Sequence, residues 1–130
     1  MIAPFYDALN AAPDKDVVAL ITRATSDDWV SCSDNENCRP RDKVIPGIVG
    51  FHQAIPDLKW EIKEMLVSGN RAIVRGEASG TPSGVFMGVP QAGKSFKVMS
   101  IDMHTIEGDR IVRSYHVEDW TGAIRQLSAK

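Results

Sequence analysis

The sequence predicts an α+β fold: a cone-shaped α+β barrel in which three N-terminal helices pack on the concave face of a curved, mainly antiparallel sheet. Three observations predict it. Apolar residues recur at helical spacing through the first third of the chain. From Asp57 onwards the period changes to two, and the extended segments are joined by short turns that make hairpins rather than helical crossovers. Helices grouped before hairpins define an α+β arrangement. A sheet that long twists and curls to bury one face, which leaves a pocket with apolar walls and a few polar groups inside.

Each element has its own signal. Ile2, Phe5, Tyr6 and Leu9 mark a short amphipathic helix over residues 2–10, interrupted by Ala12-Pro13-Asp14. Asp14 can cap a second helix whose apolar face is Val17, Val18, Leu20 and Ile21. Ser26-Asp27-Asp28 ends it, Trp29 to Cys32 is a short extended piece, and a polar loop runs to about residue 40. Val44, Ile48, Phe51, His52 and Ile55 share helical spacing over 41–55, with a kink or late start expected at Pro46-Gly47. Leu58, Trp60 and Ile62 then alternate with Lys59, Glu61 and Lys63 on a strand. Ser68-Gly69-Asn70 turns the chain into a strand over 71–79, and a further turn is expected at 90–93. On the long strand over 95–106, Phe96, Val98, Ser100, Asp102, His104 and Ile106 share one face. Glu107-Gly108-Asp109 leads into a strand over 110–118, and Asp119 stands before a last helix, Trp120 to about Leu127.

Composition narrows the function. The chain has 130 residues, enough for a single domain over 1–130, with 43% hydrophobic and 25% charged residues, near the averages for globular proteins. Fifteen basic against seventeen acidic residues give a net charge of −2. With no Lys/Arg block, nucleic acid is not an expected partner. The apolar runs are too short to span a bilayer and no basic region precedes an apolar stretch at the start, so a cytoplasmic protein without a membrane partner is expected. Cys32 and Cys38 are expected as two free thiols without a catalytic role, although the loop between them could close a disulfide. The three histidines, His52, His104 and His116, lack metal-ligand spacing, and no metal site is expected.

The candidates for chemistry follow from parity. Asp102 and His104 interrupt an apolar face, and a buried carboxylate is tolerated only with a partner or a use. Either that face turns to solvent near the strand end, or His104 is a satisfied core histidine, or both groups line a pocket. Asp119 reads either as a general base at the pocket or as the cap of the last helix. A cap lowers an Asp pKa, whereas a base working near neutrality needs it raised. Tyr115 and His116 alternate, so one of them enters the pocket. Arg113 is either a solvated strand residue or a partner for Asp102 or Asp119. His52 sits on an apolar helix face, and Trp29 and Trp60 supply walls. Met99, Ile101 and Met103 form an apolar row on the outer side of the long strand, a surface that tends to be covered.

Three stretches carry a family resemblance over about residues 55–127. Ile55-Pro56-Asp57-Leu58-Lys59-Trp60, the segment Gly80 to Pro90 with Gly93-Lys94, and above all Gly108-Asp109-Arg110-Ile111-Val112 with Tyr115-His116-Val117-Glu118-Asp119-Trp120-Thr121-Gly122 and Gln126-Leu127 resemble SnoaL-like polyketide cyclases. The resemblance implies the cone-shaped fold shared with nuclear transport factor two and ketosteroid isomerase. It also implies a cofactor-free intramolecular aldol condensation on a small apolar or aromatic carbonyl substrate. The family's acid/base Asp matches Asp119, its pocket His matches His104, and the polar residue two before matches Asp102. Trp29, His52, Trp60, Phe86, Met87, Arg113, Tyr115 and His116 are the candidate substrate-binding residues. Asp119 would remove a proton from a carbon flanked by carbonyls, and His104, or a hydrogen-bonded water, would stabilise the enolate oxygen. Related cones pair through the outer sheet face, which implies a homodimer.

Two other readings use the same residues. Asp102, Arg113 and Asp119 could activate water on an epoxide or lactone, resembling limonene epoxide hydrolases, if Arg113 bridges the carboxylates. A non-catalytic small-molecule binding or dimerisation module would instead fill its pocket with its own side chains, or lock Asp119 as a cap with His104 outside.

Overall fold

The computed structural model describes residues 2–89 and 93–128. Four helices and six strands follow in the order α1 (Ala3–Leu9), α2 (Val17–Ala24), β1 (Thr25–Cys32), β2 (Cys38–Pro40), α3 (Arg41–Ala54), β3 (Lys59–Ser68), β4 (Arg71–Gly80), β5 (Phe96–Glu107), β6 (Arg110–Glu118) and α4 (Trp120–Ser128). The strands form one sheet in the order β2-β1-β6-β5-β4-β3.

The expected architecture is corrected in two respects. The sheet does not close into a cone: β2 and β3 stand at its two edges, and it is mixed, because β1 runs parallel to β6 while every other neighbour is antiparallel. Among the described residues four helices rather than three flank the sheet, because α4, the last helix read from Trp120, joins the three N-terminal ones. No tight turn links the parallel pair: β1 follows α2, and β6 follows β5 through a hairpin.

Local boundaries follow local chemistry. Asp16, not Asp14, caps α2: its carboxylate accepts the Ala19 N–H at 3.0 Å. Residues 26–28, read as the end of a helix, belong to β1. β2, read as loop, is held by three register pairs with β1. Its last pair, Cys32 opposite Cys38, is joined by a disulfide, which corrects the expectation of free thiols. α3 continues through Pro46, which forgoes one backbone hydrogen bond. In β3 a bulge between Ile62 and Glu64 breaks the simple alternation. The turn expected at 90–93 falls mostly outside the described residues.

One face of the sheet is buried. In β4, Ala72 and Val74 are fully buried between exposed Arg71, Ile73 and Arg75, Ala78 is buried between half-buried Glu77 and Ser79, and β5 alternates in the same way from Phe96 to His104. The core has two parts. One joins Phe5, Tyr6, Ile21, Trp29, Ile48 and Ile111 beneath α1–α3; the other joins Ile55, Leu58, Phe86, Phe96 and Leu127 beside α4. Burying an aliphatic or Phe side chain of this kind contributes about 1.5–3 kcal/mol over leaving it in water. A cavity lies between α3 and the sheet, reached by both parts of the core.

Candidate active site

The cavity measures about 290 Å³, and apolar Phe5, Val44, Ile48, Phe51, Trp60 and Trp120 line it alongside a polar floor. That floor comes from adjacent strands in register. Asp102 stands opposite His116, His104 opposite Ser114, and Ser100 opposite Glu118. Directly opposed residues of an antiparallel pair share a face, so six polar side chains of β5 and β6, two of them serines, gather on this side of the sheet.

Asp102 and His104 are 4% and 0% exposed, and both meet α1 through one residue. The Tyr6 hydroxyl donates to Asp102 Oδ2 at 2.6 Å and lies 2.9 Å from His104 Nε2. On its other side His104 Nδ1 is 2.7 Å from Ser114 Oγ, which accepts the Trp29 indole N–H at 3.1 Å. The directions of these bonds follow by elimination. An indole N–H only donates, so the Ser114 hydroxyl is free to donate to Nδ1. The imidazole proton then sits on Nε2 and is given to the Tyr6 oxygen, whose own hydrogen goes to ionised Asp102. Trp29, Ser114, His104 and Tyr6 thus form a one-way line of donors ending on a carboxylate.

Burial sets the electrostatics. Desolvation pushes His104 down to about 4, which keeps the imidazole neutral. Desolvation also lifts Asp102 to about 6, opposed by the Tyr6 hydrogen bond and assisted by the Glu118 charge. Among the described residues no buried side-chain nitrogen or oxygen lacks a hydrogen-bond partner, and Oδ1 of Asp102 makes no such bond. Oδ1 is therefore the oxygen that Asp102 presents to the cavity it lines.

A second pair stands beside the first. His116 Nδ1 is 2.7 Å from Glu118 Oε2, and Glu118 Oε1 accepts the Trp120 indole N–H at 3.1 Å. The Glu118 hydrogen bond raises the His116 pKa against the effect of burial. With Nδ1 committed to Glu118, Nε2 is the ring nitrogen left for a ligand, and it donates when the ring carries its second proton. The Trp60 indole donates to Ser100 Oγ at 3.1 Å. Gly76 makes room for this bond, since a Cβ there would stand 2.9 Å from Ser100 Oγ and from the Glu61 carbonyl.

The residues anticipated from sequence are distributed unevenly. Asp102, His104, His116, Trp29 and Trp60 meet at the cavity. Asp119 does not, and the expected projection of its carboxylate into a chamber opposite His104 is corrected. It is exposed, and Oδ1 accepts the Gly122 N–H at 2.8 Å while its carbonyl accepts from Ala123, so it caps α4. The reason is parity: Glu118 faces the cavity, and the next residue faces away. Arg113 is exposed, forms no ion pair among the described residues and bridges no carboxylates, so the constellation expected for water activation is not assembled. Tyr115 lies on the outer face opposite Met103. His52 points to the Leu9 carbonyl at 3.2 Å in a separate recess. Phe86 packs against Phe96 in the core, and Met87 is exposed on a turn at φ 50°.

Tyr6, Ser114 and Glu118 were not anticipated. Ser114 and Glu118 share strand parity with His116, a signal present in the sequence. Tyr6 reads only as one more aromatic on a helix face, and its partners lie 96 and 98 positions away. Among the described residues, no three His, Cys, Asp or Glu side chains form a group that could hold a metal ion.

The chain belongs to the SnoaL-like polyketide cyclase family, whose model matches residues 3–127. Solved structures share the fold over nearly the whole chain. IdmH from Streptomyces antibioticus is 25% identical with a TM-score of 0.84, over 98% of this chain and 96% of that one. TsrD from Streptomyces laurentii is 23% identical with a TM-score of 0.82, over 99% and 92%. A SnoaL-like polyketide cyclase from Agrobacterium tumefaciens is 23% identical with a TM-score of 0.76, over 98% and 95%. No curated protein matches this chain. Among the described residues, no helix is long and apolar enough to cross a membrane.

Proposed function

We propose that this protein is a cyclase-type enzyme of its family that closes a ring in a small aromatic or apolar carbonyl compound by an aldol-type carbon–carbon bond, with Asp102 as the base. Asp102 Oδ1 takes a proton from a carbon flanked by carbonyls, the resulting enolate oxygen receives a hydrogen bond from His116 Nε2–H, and the enolate carbon attacks a second carbonyl of the same molecule. The alkoxide so formed recovers a proton from the Asp102 carboxyl. Phe5, Phe51, Trp60 and Trp120 hold the two ends of the substrate together, which supplies proximity. Tyr6 and His104 act through Asp102 as positioning residues. A second copy of the chain covers the outer sheet face.

The observation that carries this reading is the Asp102–His116 cross-strand pair, which brings a carboxylate shifted towards neutrality and an imidazole held by Glu118 to the wall of one apolar cavity. The test is single-turnover cyclisation of a linear aromatic polyketide, offered both as the free acid and as its ester. Asp102→Asn lowers the rate by at least about 10²-fold, and wild-type kcat/KM rises with pH through about 6. If Asp102→Asn turns over normally while Glu118→Gln does not, the base is Glu118 and the assignment fails.

A further inference from the structure

The opening of the cavity is chemically unlike its floor. Asp102 and Glu118 put two carboxylates on the β5–β6 side of the cavity, whereas its side towards the β2 edge of the sheet is lined by Ser31, Ser33 and exposed Arg39, with exposed Lys43 from α3. Their directions follow from the backbone. Arg39 stands directly opposite Ser31 in the β1–β2 pair, and Ser31 is buried against the cavity, so Arg39 emerges on the cavity face. Lys43 shares a stripe of α3 with Gly47 and Phe51, spaced by four, and all three line the cavity.

The charges at this rim are unspent. Arg41, between the two on the chain, turns away to Asp27 at 3.2 Å and to the Thr25 carbonyl at 2.6 Å. Arg39 and Lys43 form no ion pair among the described residues. The neighbouring Asp42 is not among the residues that line the cavity. A neutral ligand end would leave two cations facing nothing but solvent. An anionic end would pair with both, accept from two serine hydroxyls, and be repelled by the carboxylates at the floor.

We propose that this rim is a carboxylate-binding subsite, and that the protein takes its substrate as a free acid whose carboxylate sits at Arg39 and Lys43. The proposal rests on the reading of Asp102 as base for one point only, that the reacting carbon lies at the opposite end. The floor carboxylates and the rim cations together fix which way round an elongated aromatic acid enters.

The test reads binding, not turnover. 2-Naphthoate, methyl 2-naphthoate and 2-naphthyl phosphate are titrated against the wild-type protein by calorimetry, at low and at 0.5 M salt. The acid is expected to bind roughly tenfold more tightly than the ester at low salt, with the preference shrinking in high salt. Arg39→Gln and Lys43→Gln each weaken acid binding roughly fivefold and leave ester binding unchanged. Arg39→Lys, which keeps the charge, retains most of the preference and controls for folding. Equal binding of acid and ester, or an acid preference that survives in the double Gln variant, overturns the subsite. A preference for the naphthyl phosphate over the acid also overturns it, by replacing the carboxylate with a phosphate. Asp102→Asn keeps the acid preference even when inactive, so failure of the rim and failure of the base are read separately.

Discussion

A buried carboxylate and a buried imidazole that touch the same tyrosine hydroxyl pull the pH dependence of stability in opposite directions. Asp102 in the folded chain holds its proton to about 6, against an ordinary value of 3.8. Between those values the folded state binds more protons than the unfolded one, so stability falls as pH rises through this window. His104 does the reverse: its pKa falls from 6.5 to about 4, and stability rises with pH across that interval. The two slopes largely cancel in the wild type. Asp102→Asn removes one of them, so the variant gains on the order of 2–3 kcal/mol relative to wild type between pH 4 and 7, measured by urea unfolding at each pH. Tyr6→Phe removes the donor that holds Asp102 ionised. The acid limb of kcat/KM then moves to higher pH, which a structural role alone would not produce. In nitrogen NMR, His104 stays a neutral Nε2–H tautomer from pH 5 to 8.

At the scale of elements, the site depends on where β6 stops. Glu118 is its last residue and faces the cavity, and Asp119 begins the cap of α4. Asp119→Ala therefore costs about 1 kcal/mol in thermal unfolding, Asp119→Ser recovers most of it, and both retain turnover. The same boundary explains what could be read from the chain alone. β4 and β5 were legible because their side chains alternate over most of their ten and twelve residues. That alternation placed Asp102 and His104 together on the buried face. β2 was not legible, because three exposed residues carry no pattern of their own and exist as a strand only by pairing with β1. The role of Asp119 was ambiguous for a physical reason: the same carboxylate suits a helix cap and a base, and only the strand register decides which way it points. Tyr6 was hidden because its function is a contact with residues far along the chain.

For the molecule as a whole, the outer face of the sheet is the unfinished surface. Register places Leu66 beside Ile73, Ile73 beside Met103, and Ile101 beside Val117, with Met99 next along β5. Leu66, Met99 and Val117 are more than half exposed. A continuous apolar band of this kind is covered in stable proteins, and a second copy of the chain is the proposed cover. Light scattering at micromolar concentration is expected to give twice the chain mass for wild type and a single mass for Met103→Glu, which places a charge in the middle of the band. A wild-type monomer would remove that assignment without touching the cavity.

The parallel contact between β1 and β6 has a consequence for how the protein is made. Trp29 and Ser114, joined by a hydrogen bond in the finished cavity, are separated by 85 positions. As a ribosome releases the chain, the first third emerges with the indole N–H of Trp29 lacking its hydrogen-bond partner, and with β1 lacking its parallel neighbour, until the last strand has been synthesised. Pairings this distant are entropically costly to form and slow to arrive. The nascent N-terminal segment is therefore the stretch most exposed to premature association, and the stretch a chaperone would have most reason to shield.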